Sequence, residues 1–296
     1  MPERRWKMKV MVTGSAGLFG HALATVFGSE HTVFPLTRAM ADITDAGQVR
    51  AAFAQAKPEL VIHPAAIPDL DVCDADPALA YAVNVEGTRH IVEAANEINA
   101  RVAYISSDSV FDGLKQTPYK ESDPTDPRTL YGRTKLQGED IVRGTEKHWI
   151  FRISVLFGPG KTNFVDKGLR AIAAGQEYVV ASDQVGSATY TIDAARKIME
   201  VIDAHCFGLF HLSNTGVCSR LELARRAAAL AGLDPNKIIG KPSDAMGRRV
   251  PRMKYAVMKM EALKLAGLAL PRPWEDALAE YIRGPNSANP GCRITI

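Results

Sequence analysis

The stretch Lys9-Val10-Met11-Val12-Thr13-Gly14-Ser15-Ala16-Gly17-Leu18-Phe19-Gly20, running on into His21-Ala22-Leu23-Ala24-Thr25-Val26-Phe27, decides the fold. It reads as a short β-prone run, a glycine-rich turn and a helix. In that order the glycines have a physical task. They permit a tight turn and bring backbone N–H groups at a helix N-terminus, where the dipole is positive, close to a pyrophosphate. The spacing is Gly-x-x-Gly-x-x-Gly, with Gly14, Gly17 and Gly20, so the reading rests on the strand–turn–helix context more than on the pattern itself.

The rest of the chain continues the alternation. Thr32-Val33-Phe34-Pro35-Leu36 reads as a second strand, ending in Thr37-Arg38 with no carboxylate. An acidic residue there selects NAD and a basic one accepts the 2′-phosphate of NADP, so the run favours NADP(H), with Arg38 as phosphate partner, and leaves NAD(H) open. Asp42, placed at the end of a third strand, is set to cap the adenine amino group. Leu60-Val61-Ile62-His63 is a buried-type strand leading into Pro64-Ala65-Ala66, and a lone histidine at a strand end reads as structural. A helix is expected over 77–99. The strand Arg101-Val102-Ala103-Tyr104-Ile105 then delivers Ser106 and Ser107 at its carboxyl end, where ligands sit in open parallel sheets. Trp149 to Val155 reads as a sixth strand. Beyond it come helices at 164–174, 192–205 and 219–231, a strand at 209–212 and a polar loop at 183–189. The pattern predicts a Rossmann-type doubly wound parallel α/β sheet. Residues 1–155 form the NADP-binding domain. Residues 156–296 form mainly a smaller C-terminal substrate-binding lobe, with a return segment near 190–212, and the residues from Gly284 onward form a tail.

The 296 residues are enough for such a domain plus a lobe. With 36 Lys and Arg against 33 Asp and Glu, the net charge is only +3 and no cationic stripe stands out, which argues against nucleic acid or a membrane surface as partner. The start lacks an apolar signal region, and no apolar run approaches the ~18 residues of a span, so a cytoplasmic protein is expected. Cys73, Cys206, Cys218 and Cys292 show no Cys-x-x-Cys spacing and read as reduced thiols.

Tyr131 and Lys135 stand four positions apart on a predicted helix and so project from one face. An ammonium beside a phenol favours the phenolate and lowers its pKa, which would equip Tyr131 to exchange a proton with a carbonyl or alcohol oxygen. Ser107 is placed to hydrogen-bond the same oxygen.

With these residues assembled, the chain resembles the extended short-chain dehydrogenase/reductases, and within them the dTDP-4-dehydrorhamnose reductases, over about residues 8 to 283. The specific pieces are Ile105-Ser106-Ser107-Asp108-x-Val110-Phe111-Asp112-Gly113, Pro118-Tyr119-Lys120-Glu121-x-Asp123-Pro124, and Leu130-Tyr131-Gly132-x-Thr134-Lys135-x-x-Gly138-Glu139. Phe151-Arg152-x-Ser154 and Asp183-Gln184-x-Gly186-x-x-Thr189 follow in order. The resemblance implies catalytic roles for Ser107, Tyr131 and Lys135. Lys135 would also hold the nicotinamide ribose. It implies that Gly14, Gly17, Leu18, Phe19, Gly20, Arg38, Asp42, Ile43, Ala65, Ala66 and Ile105 line the cofactor, and that Asp108 touches the sugar with Ser107; Val155, near the sugar, and the extra cations Arg252 and Lys254 are expected on the substrate side, the cations to read an anionic group. The implied reaction is reduction of the C4 ketone of a nucleotide-linked 6-deoxy-4-keto-sugar by NADPH, a step of dTDP-rhamnose biosynthesis, and a homodimer is among the expected assemblies.

Departures fall on the sugar side: Val155 replaces the usual Trp, Ser109 a common Tyr, and Arg249-Val250-Pro251-Arg252-Met253-Lys254 an Arg-Pro-x-Asn-Ser run. His63-Pro64 replaces Asn-Ala. Ala22 stands where some relatives carry an acidic metal ligand, so no metal is expected. Two other readings stay open. One is a noncatalytic NADP-binding regulatory subunit resembling the methionine adenosyltransferase beta subunit. The other is a sugar-nucleotide epimerase or dehydratase, although Ser109 after Asp108 lacks the second carboxylate of a dehydratase.

Overall fold

The computed structural model describes residues 7–284 of the chain, so Cys292 and nearly all of the expected tail lie outside the described residues. The first half alternates strand and helix: β1 (Lys9–Thr13), α1 (Leu18–Gly28), β2 (Thr32–Leu36), α2 (Ala46–Ala56) and β3 (Leu60–His63). After β3 come α3 (Leu70–Ala75), α4 (Pro77–Tyr81), a π-helical turn at Ala82–Glu86 and α5 (Gly87–Glu97), the last three running on as one helical stretch. Then β4 (Arg101–Ser107), α6 (Leu130–Arg143) and β5 (His148–Ile153) complete this half.

The strands are near-continuous apolar runs because a parallel sheet is covered on both faces. All four residues of β3 are buried, as are four of five in β1. One apolar layer, with Phe27, Trp149 and Phe151 at its centre, joins the sheet to α1 and the later helix; the opposite layer, around Phe53, Ile91 and Tyr104, joins it to α2 and α5. Fully burying a side chain such as Phe27 stabilises the fold by on the order of 1.5–3 kcal/mol. Asp45 caps α2 by accepting from the N–H groups of Gly47 and Gln48, and Thr129 caps α6 by accepting from Gly132 N at 3.1 Å.

The second half begins with β6 (Leu156–Phe157), α7 (Phe164–Ala173), β7 (Tyr178–Ala181), β8 (Val185–Gly186) and β9 (Thr189–Tyr190). The chain then returns through α8 (Thr191–Asp203) to β10 (Gly208–Leu212), which joins the main sheet beside β5. The order across that sheet is β10-β5-β4-β3-β1-β2, all parallel. β11 (Cys218–Ser219), α9 (Arg220–Leu230), β12 (Ile238–Lys241), β13 (Tyr255–Ala256), α10 (Glu261–Leu265) and α11 (Trp274–Arg283) follow. A third apolar cluster around Phe157, Leu223, Trp274 and Tyr281 packs these elements together.

Two expectations are corrected. No strand ends at Asp42: residues 37–45 form a turn fastened by Asp45 N to Asp42 O (3.0 Å) and by Thr44 N and Oγ1 to the Asp42 carboxylate. β2 is already the sheet edge, so nothing lies beyond it for that run to pair with. The polar stretch at 183–189 is more than loop, since β8 pairs antiparallel with β11 and parallel with β13. Those partners lie far along the chain and leave no local period to read.

The Pro118–Pro124 motif ties the halves together. Tyr119 stacks on Phe111 with centroids 4.3 Å apart, and its phenol donates to Asp112 Oδ1 at 2.5 Å. Glu121 accepts from His211 N, Glu261 N and Ala262 N, capping α10 from a distance. Among the described residues no helix is long and apolar enough to cross a membrane.

Candidate active site

The carboxyl ends of β1, β3, β4 and β5 lie side by side, and the residues just past them form one continuous rim. At β1, Gly14 adopts a left-handed φ of +56°, and a Cβ there would come within 2.9 Å of Ala65 Cα. Only glycine lets the β1 turn lie against the backbone after β3. α1 opens at Gly17 without a side-chain cap, leaving its first N–H groups available to an anion. Ser15 Oγ, buried in this turn, has no hydrogen-bond partner among the described residues. This cradle fits the pyrophosphate of a dinucleotide, and Ser15 is a member that the glycine reading passed over.

The other predicted cofactor residues fall around the cradle to different degrees. Leu18 is partly exposed, whereas the Phe19 side chain belongs to the core. Ala65 and Ala66 are partly exposed on the turn after β3. Ile43 packs against Gly87 of α5, where a Cβ would come within 2.7 Å of it. Arg38, 82% exposed beyond the end of β2, pairs with Asp42 at 3.3 Å. The hydrogen bonds from Thr44, chiefly, hold the Asp42 carboxyl below its usual range, so this carboxylate already has partners. Ile105 is buried within β4, in the core beneath the rim.

At β4 the chain turns sharply through 108–110 onto the first turn of α6. Gly132 makes that contact possible, because any side chain there would collide with the Ser109 carbonyl. The result brings Ser107, Asp108 and Tyr131 together. The Ser107 hydroxyl lies beside the Tyr131 phenol, donates to Asp108 Oδ1 at 2.8 Å and accepts from Ser109 N at 3.2 Å. Ser154, just past β5, donates to Asp108 Oδ2 at 2.5 Å. Burial raises the Asp108 pKa against these hydroxyls and the nearby Arg220.

Lys135, buried to 2% exposure, sets its ammonium 4.0 Å from the centroid of the Tyr104 ring. Burial pushes its pKa down to about 7, opposed by the Glu139 carboxylate. Glu139 is itself gripped by Arg152 through two bonds of 2.8 Å and by Ser106 at 2.6 Å. Removing one partner of such a buried pair leaves the other charge uncompensated, at a cost of about 3–5 kcal/mol. The expectation that Lys135 depresses the Tyr131 pKa is not met here. Burial raises the phenol well above its ordinary value, Asp108 and Cys73 push the same way, and the nearby Ser107 hydroxyl opposes them. A phenol held protonated in this way is equipped to donate a proton.

A cavity of about 490 Å³ opens beside this group, between the rim and the second half of the chain. Asp108 lines it and so links it to Ser107. Val155 lines it too, with Phe164 and four guanidinium groups, Arg128, Arg220, Arg248 and Arg252. Arg252 is tied to Asp71 through two bonds of 3.0 and 2.7 Å. Arg220 lies over the Phe164 ring at 5.2 Å, attracted by Asp108 and repelled by Arg248. Sequence reasoning named Val155 and Arg252 but missed Arg220 and Arg248. Neither belongs to a local motif; the fold of the second half alone brings them to the cavity. Lys254 points elsewhere, paired with Asp244 at 2.8 Å and Asp183 at 3.4 Å.

A six-stranded parallel sheet with a glycine cradle after β1, and Ser107 at the end of β4 beside the helix that carries Tyr131 and Lys135, defines an extended short-chain dehydrogenase/reductase. Comparison with known proteins narrows this class. A family model described as "RmlD substrate binding domain" matches residues 8–286. The chain is 36% identical over 282 residues to the spore coat polysaccharide biosynthesis protein SpsK of Bacillus subtilis, covering 95% of this chain and 99% of that protein. It is 36% identical over 287 residues to a dTDP-4-dehydrorhamnose reductase of Streptomyces griseus, covering 94% and 93% of the two chains. A crystal structure of dTDP-4-dehydrorhamnose reductase from Bacillus anthracis in complex with NADP superposes with a TM-score of 0.90 at 31% identity, covering 94% of this chain and 99% of that one. The chain therefore belongs to the RmlD-like, dTDP-4-dehydrorhamnose reductase family of extended short-chain dehydrogenase/reductases.

Proposed function

We propose that this chain is an NADPH-dependent reductase that converts the C4 ketone of a nucleotide-linked 6-deoxy-4-keto-sugar to the alcohol, with dTDP as the nucleotide. The observation that carries the reading is the contact of Ser107 with both the Tyr131 phenol and Asp108, at the edge of an arginine-lined cavity. The Gly14–Gly20 cradle and Arg38 would hold NADPH, which would supply the hydride. With substrate bound, Ser107 turns its hydroxyl proton from Asp108 to the ketone oxygen, and Tyr131 gives that oxygen its proton as negative charge develops there. An alkoxide is a far stronger base than a phenolate, so the transfer runs downhill even from a phenol with a raised pKa. Lys135 holds the ribose of the nicotinamide, and its charge stabilises the phenolate left behind. Asp108 orients Ser107 and meets the sugar, while the arginines of the cavity take the nucleotide phosphates.

Residues 1–155 with the returning 190–212 segment bind the cofactor, and the remainder closes the substrate side. The test is oxidation of NADPH in the presence of dTDP-4-keto-6-deoxyglucose and its epimerase, with product analysis for the C4 alcohol. Consumption of one NADPH per alcohol formed is the expected result. No turnover with any nucleotide keto-sugar, together with stoichiometric capture of a partner enzyme, would favour a regulatory subunit instead.

A further inference from the structure

His63 stands where relatives of this family usually carry asparagine, and the reaction described above gives it no role. Its ring is fully buried at the end of β3, with a polar partner on each nitrogen: Thr13 Oγ1 at 2.7 Å from Nδ1 and Thr88 Oγ1 at 3.1 Å from Nε2. The protons in this network can be assigned by elimination, because carbonyl oxygens only accept. Thr88 places its single proton on the Asn84 carbonyl at 2.8 Å, the shorter of its two bonds, and so accepts from His63 Nε2–H at 3.1 Å. His63 Nδ1 then carries no proton and accepts from the Thr13 hydroxyl, which in turn accepts from Ala65 N–H at 3.3 Å.

Beyond the carbonyl the network continues. Asn84 Oδ1 accepts from Ile67 N at 2.7 Å, which fixes the amide orientation, and Asn84 Nδ2 donates to Thr134 Oγ1 at 3.0 Å. Thr134 passes its own proton to the Tyr131 carbonyl at 2.8 Å. Thr13, His63, Asn84, Thr88 and Thr134 are all at 1% exposure or less. The donors therefore point one way in two segments joined through Asn84 itself, from the turn that faces the Gly14 cradle to the Asn84 carbonyl and from the Asn84 side chain to the Tyr131 carbonyl.

We propose that His63 is a positioning residue: as the neutral Nε2–H tautomer it couples the nucleotide cradle after β1 and β3 to the helix that carries Tyr131. The role is specific to the direction of the two bonds. A side chain that accepts from Thr13 and donates to Thr88 sustains the path; one that lacks polar atoms leaves two buried hydroxyl groups unmatched. Glutamine meets the requirement, with its carbonyl oxygen and amide nitrogen spaced like the two ring nitrogens. Phenylalanine keeps the volume and removes both bonds. The site already described thus has a mechanical connection between its two parts, made of neutral groups that begin at Ala65 on the cradle side and are otherwise buried away from it. The inference rests on the reductase reading only for the turnover arm of its test.

The test has three arms on the full chain. Imidazole ¹⁵N shifts at neutral pH assign the tautomer directly; Nε2–H is expected, and Nδ1–H or an imidazolium overturns the proposal. NADPH affinity by fluorescence titration is expected to weaken about tenfold in His63→Phe, the usual scale for unmatched buried polar groups, and to recover in His63→Gln. Turnover with the nucleotide keto-sugar is expected to fall by about tenfold to a hundredfold in His63→Phe, with the KM for the sugar unchanged, and again to recover in His63→Gln. Thr134→Val, at the far end of the path, is expected to weaken NADPH binding as well. A simple packing role predicts no glutamine rescue and no effect of Thr134→Val on NADPH, and either result overturns the proposal. Should no keto-sugar be turned over at all, the tautomer and NADPH arms still decide it.

Discussion

The two walls of the site are built in opposite ways. On the nucleotide wall the buried polar groups, Ser15 Oγ apart, are neutral and matched to one another, as in the path from Thr13 through His63 and Thr88 to Asn84. On the substrate wall charges outnumber their internal partners: Arg220 and Arg248 repel each other, with the buried Asp108 set against Arg220. A wall whose side chains are mostly satisfied mainly holds a shape and leaves the cradle's N–H groups and Ser15 to the ligand, so it suits a cofactor common to a large family. A wall with surplus positive charge has a preferred ligand, and its chemistry calls for an anionic group such as a diphosphate.

Four changes sharpen or break that contrast, from the largest effect to the smallest. The neutral wall is acid-sensitive through His63, whose folded pKa is pushed down to about 3 by burial and then by Lys135, from an ordinary 6.5. Below that ordinary value the unfolded chain takes up a proton that the folded chain refuses. His63 therefore leaves stability intact above pH 6.5 and subtracts from it progressively as pH falls towards about 3, by on the order of a few kcal/mol. Denaturant melts of wild type and His63→Gln should diverge in that window and converge above it. Next, Gly20→Ala places a methyl group against the Gly14 and Ser15 backbone and should cost about a hundredfold in NADPH affinity while sparing dTDP binding in calorimetry. Arg220→Ala should do the reverse, raising the KM of the nucleotide sugar by roughly tenfold to a hundredfold with NADPH affinity unchanged. Arg252→Ala should raise it by less than about threefold, because that guanidinium is already committed to Asp71. If Arg220 and Arg252 were equivalent in steady-state kinetics, the division between free and committed charge would fail.

The same contrast explains what was legible in the sequence. The nucleotide wall is written locally: β1, the glycines and α1 are consecutive, and Tyr131 and Lys135 are one helical turn apart, so spacing alone places them. Asp42 shows the limit of local reading, since a strand was expected where the sheet had already ended at β2. Ser15 was missed because the glycines drew the reading, although it lies within the motif. The substrate wall is assembled from β8, β11, β13 and the start of α9, pieces of two or three residues that pair across long intervals. No period marks Arg220 as a cavity residue, and only folding brings it beside Asp108. The expected depression of the Tyr131 pKa failed for a related reason: helical spacing gives the neighbour, but burial, which spacing does not reveal, decides the sign.

The central claim is that the Tyr131 phenol delivers the proton to the reduced ketone. Single-turnover decay of nicotinamide absorbance, followed in wild type and Tyr131→Phe with the nucleotide 4-keto-sugar, tests it most directly. The account predicts a rate lower by on the order of 10² to 10⁴ with NADPH affinity preserved. An unchanged rate in Tyr131→Phe would contradict it.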